Sequence, residues 1–595
     1  MKDSWKIRPH PPAAHELARA TGISLLEAGF LAKRGVTDRE AMASFLSPRL
    51  ADLKNPMALE DMDKAVALIS ETLEQRQAIT IYGDFDADGF TATALLCNFF
   101  SSLGAPTSYY IPDRFSEGYG LHAEALKGIA GRGPGLLITV DCGTTSQDQI
   151  TLGRSWGLEV VVTDHHQVPQ GFTPSCPVIN PHRQDSAFPF KHLAGVGVAF
   201  FLAVALRAAL RRKGWFRHRP EPDLRDYLDL VALGTVADMV PLLDQNRILV
   251  KAGLERIQRS QRPGIQAIAK LAAICGPSFS AADLAYRMAP RLNASGRMGE
   301  TEVGVMALTT QDPVFARELA GRLETMNAER RLIEKNILEE IDTSLRSRGD
   351  LGSLKTLVAA GRGWHRGVLG VVASRLADRY HRPVLVLSVD NGMASGSGRS
   401  IPGFNLYRAL SALAPLFDRY GGHEQAAGLT LKASRIESLA SGLEEIAQKE
   451  IREDDLVQSI EVDGETTLPE IDLEIARRLL SYSPFGPGNP EPHLYAGPCE
   501  VMESRIVGER HLKMTVRQNG TVLDAIGFGL APSQTARNAQ VHLLFTPELD
   551  QWQGRERLQL RVLDMEPADG PSKLQMPSHG PNCAEQNGKP PAQAS

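Results

Sequence analysis

Ala78-Ile79-Thr80-Ile81-Tyr82-Gly83-Asp84-Phe85-Asp86-Ala87-Asp88-Gly89 is the stretch on which the reading of this chain turns. Its first five residues are a short β-rich run. Three carboxylates, Asp84, Asp86 and Asp88, follow at once. In an open α/β sheet, ligands bind beyond the carboxyl ends of the strands. Carboxylates this close repel one another unless cations neutralise them. Hard cations such as Mg²⁺ and Mn²⁺ take oxygen ligands. Taken alone, the motif is equally compatible with an Asp-rich turn.

Working outward, the pattern recurs. Further β-rich runs at 107–111, 136–140 and 159–163 are separated by helical stretches, which predicts a parallel α/β sheet. Asp141 follows the third run, and Asp164-His165-His166 follows the fourth. A parallel sheet sets these carboxyl ends side by side, so the residues converge, and a chance Asp-rich turn becomes a poor account. Asp238 stands in the apolar run Ala232-Leu233-Gly234-Thr235-Val236-Ala237-Asp238-Met239-Val240-Pro241. A buried carboxylate needs a partner: a metal, a helix cap or a salt bridge.

The 595 residues suggest three to five domains at ~150 residues each. A short helical segment is expected over 1–55 and the parallel-sheet domain over 56–250. Residues 251–350 read as helical. They end in one long helix over 315–348, without Gly or Pro from Arg322 to Ser347, that joins a second α/β domain at 351–452. From 455 to 566 the periodicity turns to two. Five runs, at 501–507, 512–517, 522–528, 541–546 and 558–562, suit an OB-type β-barrel. The proline-rich end, 567–595, reads as a disordered tail.

Composition narrows the function classes. A net charge of −5 places any phosphate binding on local basic patches rather than on the global field. Cys97, Cys142, Cys176, Cys275, Cys499 and Cys583 form no CxxC pair, which argues against a zinc ribbon or a disulfide framework. The N-terminus lacks the apolar core of a signal peptide, and no run reaches the ~18 apolar residues of a membrane span. A cytoplasmic setting without a membrane is expected.

The DxDxDG block, Asp141, the Asp-His-His triplet and Asp238 resemble the four motifs of the DHH phosphoesterase family. Gly421-Gly422-His423-Glu424-Gln425-Ala426-Ala427-Gly428 resembles the signature of the DHH-associated domain. Three further stretches are similar to the RecJ branch of that family: Pro290-Arg291-Leu292-Asn293-Ala294-Ser295-Gly296-Arg297, Gly363-Trp364-His365-Arg366-Gly367-Val368-Leu369-Gly370, and Pro484-Phe485-Gly486-Pro487-Gly488-Asn489-Pro490.

The resemblance implies a metal-dependent exonuclease that degrades single-stranded DNA from 5′ to 3′ to mononucleotides, in recombination and repair. It implies two divalent ions, Mn²⁺ or Mg²⁺, held by Asp86, Asp88, Asp141, His165 and Asp238, with Asp141 bridging. Asp84 would ligate directly or orient its neighbours. His166 would contact phosphate, donate a proton or make a supporting hydrogen bond. Family members of the pyrophosphatase type carry a His where this chain has Tyr82, a departure that disfavours inorganic pyrophosphate as substrate.

His365, Ser397, Arg399 and His423, read as lying in Gly-rich loops, and Arg291, Asn293 and Arg297 are the expected substrate contacts, with surface ion pairing the competing role for the arginines. At the barrel, Tyr482, Phe485, Lys513 and Trp552 are candidates for stacking on bases or pairing with phosphates, with core packing the competing role. The basic run 207–219 would guide DNA or simply cap a helix. Single-strand binding protein and a helicase are expected partners, and a monomer the expected state. Two alternatives stay open: a DHH phosphodiesterase for short oligonucleotides or cyclic dinucleotides, and a non-catalytic single-stranded-DNA-binding scaffold.

Overall fold

Ala78–Tyr82 is the second strand of a five-stranded sheet ordered Thr107–Tyr110, Ala78–Tyr82, Gly135–Val140, Leu158–Thr163, Val178–Ile179. Every neighbouring pair is parallel. Side chains alternate between two cores. Ile79, Ile81, Ile138 and Val161 enter one; Tyr82, Leu137, Val160 and Val162 enter the other. Burial on both faces is what a parallel sheet sandwiched by helices requires. From Ala78–Tyr82 the chain first adds Thr107–Tyr110 on one side and then Gly135–Val140 on the other. The crevice at such a reversal is where open α/β sheets bind ligands, and both the DxDxDG loop and Asp141 open into it.

The computed structural model describes residues 4–274, 279–348, 353–552, 555–570 and 572–575. They divide into two units. The first holds Ser47–Leu456 and Ser483–Pro490. Within it, the helix Pro313–Arg348 contributes Leu319, Leu323 and Met326 to the core of the parallel-sheet domain. It contributes Ile337, Leu338, Ile341 and Leu345 to the core of the next domain. At ~1.5 Å per residue it is long enough to serve both.

The domain beyond this helix is built on a sheet ordered Phe417–Gly422, Ala426–Lys432, Met393–Arg399, Val384–Asp390, Leu357–Arg362. Only the last pair is parallel. The three antiparallel additions are glycine-rich, which hid them from a search for β-rich runs. Ser397 and Arg399 therefore lie on a strand paired on both sides, not in a loop.

The second unit holds Met1–Leu46, Val457–Tyr482 and Glu491–Ser595. Five strands, Leu494–Val507, His511–Gln518, Thr521–Gly527, Gln540–Trp552 and Arg555–Pro567, close into a barrel. The N-terminal segment begins with a strand, Ser4–Ile7, rather than a helix. It pairs in parallel with Ser459–Val462 and with Leu574–Gln575. The tail expected from 567 is thus in a strand at 574–575; residues 576–595 lie outside the described residues, as does the side chain of Trp552. Among the described residues no helix is long and apolar enough to cross a membrane.

Candidate active site

Backbone hydrogen bonds fix the carboxylates. Asp86 caps the helix Ala87–Ser102, its Oδ1 accepting from the N–H groups of Asp88 at 3.0 Å and Gly89 at 3.1 Å. The Ala87 N–H donates to Asn293 Oδ1 at 2.7 Å, so Asn293 holds the loop. Asp88 accepts from the Gly195 and Val196 N–H groups, at 2.6 and 2.9 Å. These open the helix Gly195–Arg212, whose positive end favours a carboxylate. Gly195 is required there: a Cβ would lie 2.7 Å from Asp141 Cβ. Asp141 itself has φ 62°, a left-handed turn that ends its strand abruptly.

Ligating atoms then gather in threes. Asp84, Asp86 and Asp141 bring one oxygen each within 4.8 Å of one another; Asp88 and Asp238 with an oxygen each and His165 with a ring nitrogen do likewise, and so do Asp141, His165 and His166. His165 Nε2 lies 3.0 Å from Asp141 Oδ1 and 3.9 Å from Asp88 Oδ2, while its Nδ1 lies 3.6 Å from Asp238 Oδ2. Asp141 and His165 thereby join the two sets. Behind them, Asp164 accepts from the Thr144 N–H at 2.9 Å, the His165 N–H at 2.7 Å and the His166 N–H at 3.1 Å. His166 Nδ1 is 2.8 Å from Asp164 Oδ1 and 3.1 Å from the Tyr119 hydroxyl.

The electrostatics match a cation site. Burial first, then Asp86, pushes Asp84 up to about 8 and Asp88 up to about 7. Burial and the neighbouring aspartates also lift Asp141 and Asp238 well above the ordinary range. Burial, reinforced by the His166 charge, lowers His165 to about 3, leaving the neutral imidazole that a metal ligand must be. Asp164 goes the other way: burial opposes its charge, but hydrogen bonds and the two histidines outweigh it. For His166, burial is outweighed by Asp164 and the carboxylates, and its pKa rises. Among the described residues, no hydrogen bond reaches the buried atoms Asp84 Oδ1 and Asp238 Oδ2. Orphaned carboxylate oxygens facing like charges fit divalent cations.

Opposite the carboxylates stand guanidinium groups. Arg114 feels Asp84 and Asp86, and Arg297 feels Arg114, Arg330, Asp86 and Arg399. Burial, then these like charges, lowers Arg297 to about 10, and burial beside Arg114 lowers Arg399. Arg399 Nη1 donates to Ser397 Oγ at 3.3 Å. His365 packs edge-on against Phe115, next to Arg114, at 5.5 Å. Arg114 was missed from sequence, although it follows the strand Thr107–Tyr110 by the same rule that exposed the aspartates. Asp164, which with Tyr119 orients His166, stood in the triplet after the fourth run; Tyr119 had no comparable signal.

Other expected residues lie elsewhere. Arg291 is engaged by Glu324 and by the Arg287 carbonyl, an ion pair rather than a substrate contact. His423 is exposed in the turn after Phe417–Gly422, with no side-chain hydrogen bond or ion pair among the described residues. Tyr82 is fully buried, its hydroxyl on the Gly120 carbonyl at 3.1 Å, and is no ligand. Tyr482 is 2% exposed, stacked on Phe30 and bonded to Glu27, a core residue instead of a base platform. Phe485 belongs to Ser483–Pro490, which is not part of the barrel. That segment packs behind the Asp238 turn, the Leu242 N–H donating to the Pro487 carbonyl at 2.8 Å. In the basic run, Arg207 and Arg211 pair with Glu221, and Lys213 pairs with Glu74, as at a solvated helix end.

Three family models match the chain: the DHH family N-terminal domain over residues 78–235, the DHHA1 domain over 353–449 and the RecJ OB domain over 462–564. The chain is 38% identical over 579 residues to the single-stranded-DNA-specific exonuclease RecJ of Dickeya dadantii, covering 94% of this chain and 98% of that one. It is 36% identical over 570 residues to the protein of the same name from Bacillus subtilis, with 95% and 71% covered. The crystal structure of Thermus thermophilus RecJ with Mn²⁺ superposes with a TM-score of 0.80 at 30% identity, covering 96% of this chain and 80% of that one. The Mg²⁺ complex gives 0.73 at 29% identity, covering 96% and 79%.

Proposed function

The chain belongs to the RecJ family of DHH single-stranded-DNA-specific exonucleases, and from that premise we propose that it trims single strands from the 5′ end, releasing mononucleotides, with two divalent ions in its site. One ion is assigned to Asp84, Asp86 and Asp141, the other to Asp88, His165 and Asp238, with Asp141 reaching both. Of the two roles the resemblance left open for Asp84, direct ligation or orienting its neighbours, this takes the first. The observation that carries the reading is the meeting of two ligand triads at Asp141 and His165. Such a pair of ions, Mn²⁺ or Mg²⁺, neutralises the carboxylates, acidifies the attacking water and offsets charge on the entering and leaving oxygens.

The chain's own groups do the rest. Arg114, Arg297 and Arg399, with Ser397 beside them, hold the phosphate of the terminal nucleotide, for which fixed guanidinium groups are suited. With Nδ1 of His166 taken by Asp164 and Tyr119, Nε2 is left for the substrate. Asp164 beside Nδ1 stabilises the charged ring, so that Nε2–H is placed to donate to the scissile phosphate. Asn293 keeps the carboxylate loop in register.

The test uses 5′-labelled and 3′-labelled single strands and a duplex control, in Mn²⁺ or Mg²⁺, with wild type and Asp141→Ala. Metal-dependent release of labelled mononucleotide from the 5′ end of single strands, abolished in the variant, is expected. Release of mononucleotide from the 3′ end first refutes the direction. Cleavage confined to very short oligonucleotides, or binding without cleavage, refutes the larger reading.

A further inference from the structure

The helix Leu228–Ala237 closes on the ligand Asp238, and the residue after Asp238 breaks a backbone rule. Met239 has φ 61°, in the left-handed region. A helix that ends this way takes glycine, or sometimes asparagine, at that position, because a Cβ there crowds the backbone. The turn is held on both sides. The Asp238 N–H donates to the Gly234 carbonyl at 2.9 Å, and the Met239 N–H to the Val236 carbonyl at 3.3 Å. Asn246 Nδ2 donates to the Pro241 carbonyl at 3.0 Å, and a Cβ on Gly488 would lie 3.1 Å from Pro241 Cβ. This bracing keeps Met239 in the strained conformation.

The fold gains little from the strain. Ala237 and Val240, on either side, pack on the core, whereas Met239 is 70% exposed. An apolar residue at a left-handed helix end can fold back on the last turn, but a side chain this exposed does not. Strained residues cluster at functional sites, where the strain serves the site. A large apolar side chain held out in water beside a ligand set points to a partner from outside.

Its place says which partner. Asp238 belongs to the triad Asp88, His165 and Asp238. The arginine cluster lies over the other triad: the Arg114 guanidinium is 4.9 Å from the centre of the Phe85 ring, and Phe85 separates Asp84 from Asp86. A strand whose terminal phosphate rests among the arginines, with the next phosphate between the triads, carries its second nucleotide out past Asp238 and so past Met239. The side chain suits a base. A thioether is polarisable, packs against aromatic rings and adapts its shape through three rotatable bonds. It has no hydrogen-bond donor and only a weak acceptor, so it can grip any of the four bases without choosing among them.

We propose that Met239 is the apolar platform for the base of the second nucleotide, gripping the strand across the metals from the arginine pocket whatever its sequence. The contact is the same before and during cleavage, so it lowers KM and leaves kcat to the metal site. The proposal rests on single-stranded DNA cut from the 5′ end being the substrate, and its test separates the two.

Full-length wild type, Met239→Gly and Met239→Leu are compared in Mn²⁺ for release of the first nucleotide from a 5′-phosphorylated single strand. The same strand is also tested with an abasic first, second or third nucleotide. Met239→Gly removes the platform and the strain together. It should melt at or above the wild-type temperature, while KM rises about 5-fold, the scale of a sulfur–ring contact, at the same kcat and Mn²⁺ requirement. Met239→Leu keeps an apolar side chain of similar volume and should stay within about twofold of the wild-type KM. An abasic second nucleotide should raise the wild-type KM to that of Met239→Gly and leave the variant indifferent; an abasic first or third nucleotide should preserve the difference between the two proteins. A wild-type KM in Met239→Gly overturns the platform. A lower kcat with a greater Mn²⁺ requirement makes Met239 a brace for Asp238 and overturns it too, as does a difference that persists when the second nucleotide is abasic. All three leave the exonuclease reading intact. A wild type that cleaves none of these strands, or starts from the 3′ end, overturns the reading on which the proposal rests.

Discussion

Replacing Gly296 by Ala tests how tightly the carboxylate loop is held. Gly296 sits on the helix Ala289–Met298, against the backbone of the loop. An added Cβ would lie 1.9 Å from the Phe85 carbonyl oxygen and 3.0 Å from its carbon. A carbon approaches a carbonyl oxygen to about 3.3 Å, so helix and loop must separate by roughly 1.4 Å. Neither atom is the end of a flexible side chain, so the backbone has to move. The Phe85 peptide lies between Asp84 and Asp86, two members of one triad. A misplacement of about 1 Å costs on the order of 100-fold in rate, and overpacking of this kind costs about 1–3 kcal/mol. Gly296→Ala should therefore fold, melt several degrees lower, need more Mn²⁺ and cleave single-stranded DNA ~100-fold more slowly. The assay is initial-rate degradation of labelled DNA over a Mn²⁺ titration, beside a thermal melt. Gly321→Ala is the control. A Cβ there meets nothing within 4 Å, and alanine should stabilise the long helix by about 1 kcal/mol without changing activity. Gly296→Ala activity within threefold of wild type, at the same Mn²⁺ requirement, would refute the claim that this contact positions the triad.

Further outcomes follow from the charges. Asp88 and Asp84 titrate in the folded, metal-free chain at about 7 and about 8, above an unfolded value of 3.8. Raised carboxyls bind protons more tightly in the folded state, so their stabilisation is full below pH ~4 and is lost as pH rises through 7 to 8. Melting in EDTA should fall over that interval, and the gain on adding Mn²⁺ should grow; a pH-independent gain would count against the ligand assignment. Asp164→Asn removes the charge that sustains the His166 imidazolium, so the alkaline limb of the rate profile should move to lower pH while the rate falls on the order of 10- to 100-fold. An unmoved limb would detach His166 from the chemistry. Arg297→Ala should raise KM for DNA by at least about 10-fold, and Arg291→Ala should leave KM unchanged while costing about 1 kcal/mol of stability, because the first faces the carboxylates and the second faces Glu324. Steady-state kinetics and melts on both variants separate these roles.

The clustered aspartates and histidines at the strand ends were legible because each is a local event. A β-rich run ending in an aspartate or a histidine needs no distant information, and the parallel sheet converts three such endings into one site. The same rule reaches Arg114, four residues past the end of Thr107–Tyr110, which brings a cation to the site instead of an acid. Aromatic residues resisted sequence reading for a different reason. Tyr482 and Phe528 are both aromatics beside a turn or a strand; one is 2% exposed and the other 57%. Composition cannot tell an exposed ring from a buried one, because both use the same side chain.

Legible in the chain alone were the strands of the parallel sheet, the long helix, the two-residue periodicity of the barrel and the clustered aspartates and histidines. These depend on patterns within about ten residues, where periodicity and turn chemistry act. Packing of the folded chain sets which carboxylates share a triad, turns Arg291 to Glu324 and Arg297 to the site, and braces the Asp238 turn with Ser483–Pro490. It alone paired Ser4–Ile7 with Ser459–Val462, hundreds of residues away. Such contacts are chosen by the packing of whole elements, since a four-residue strand has too little surface of its own to specify a partner.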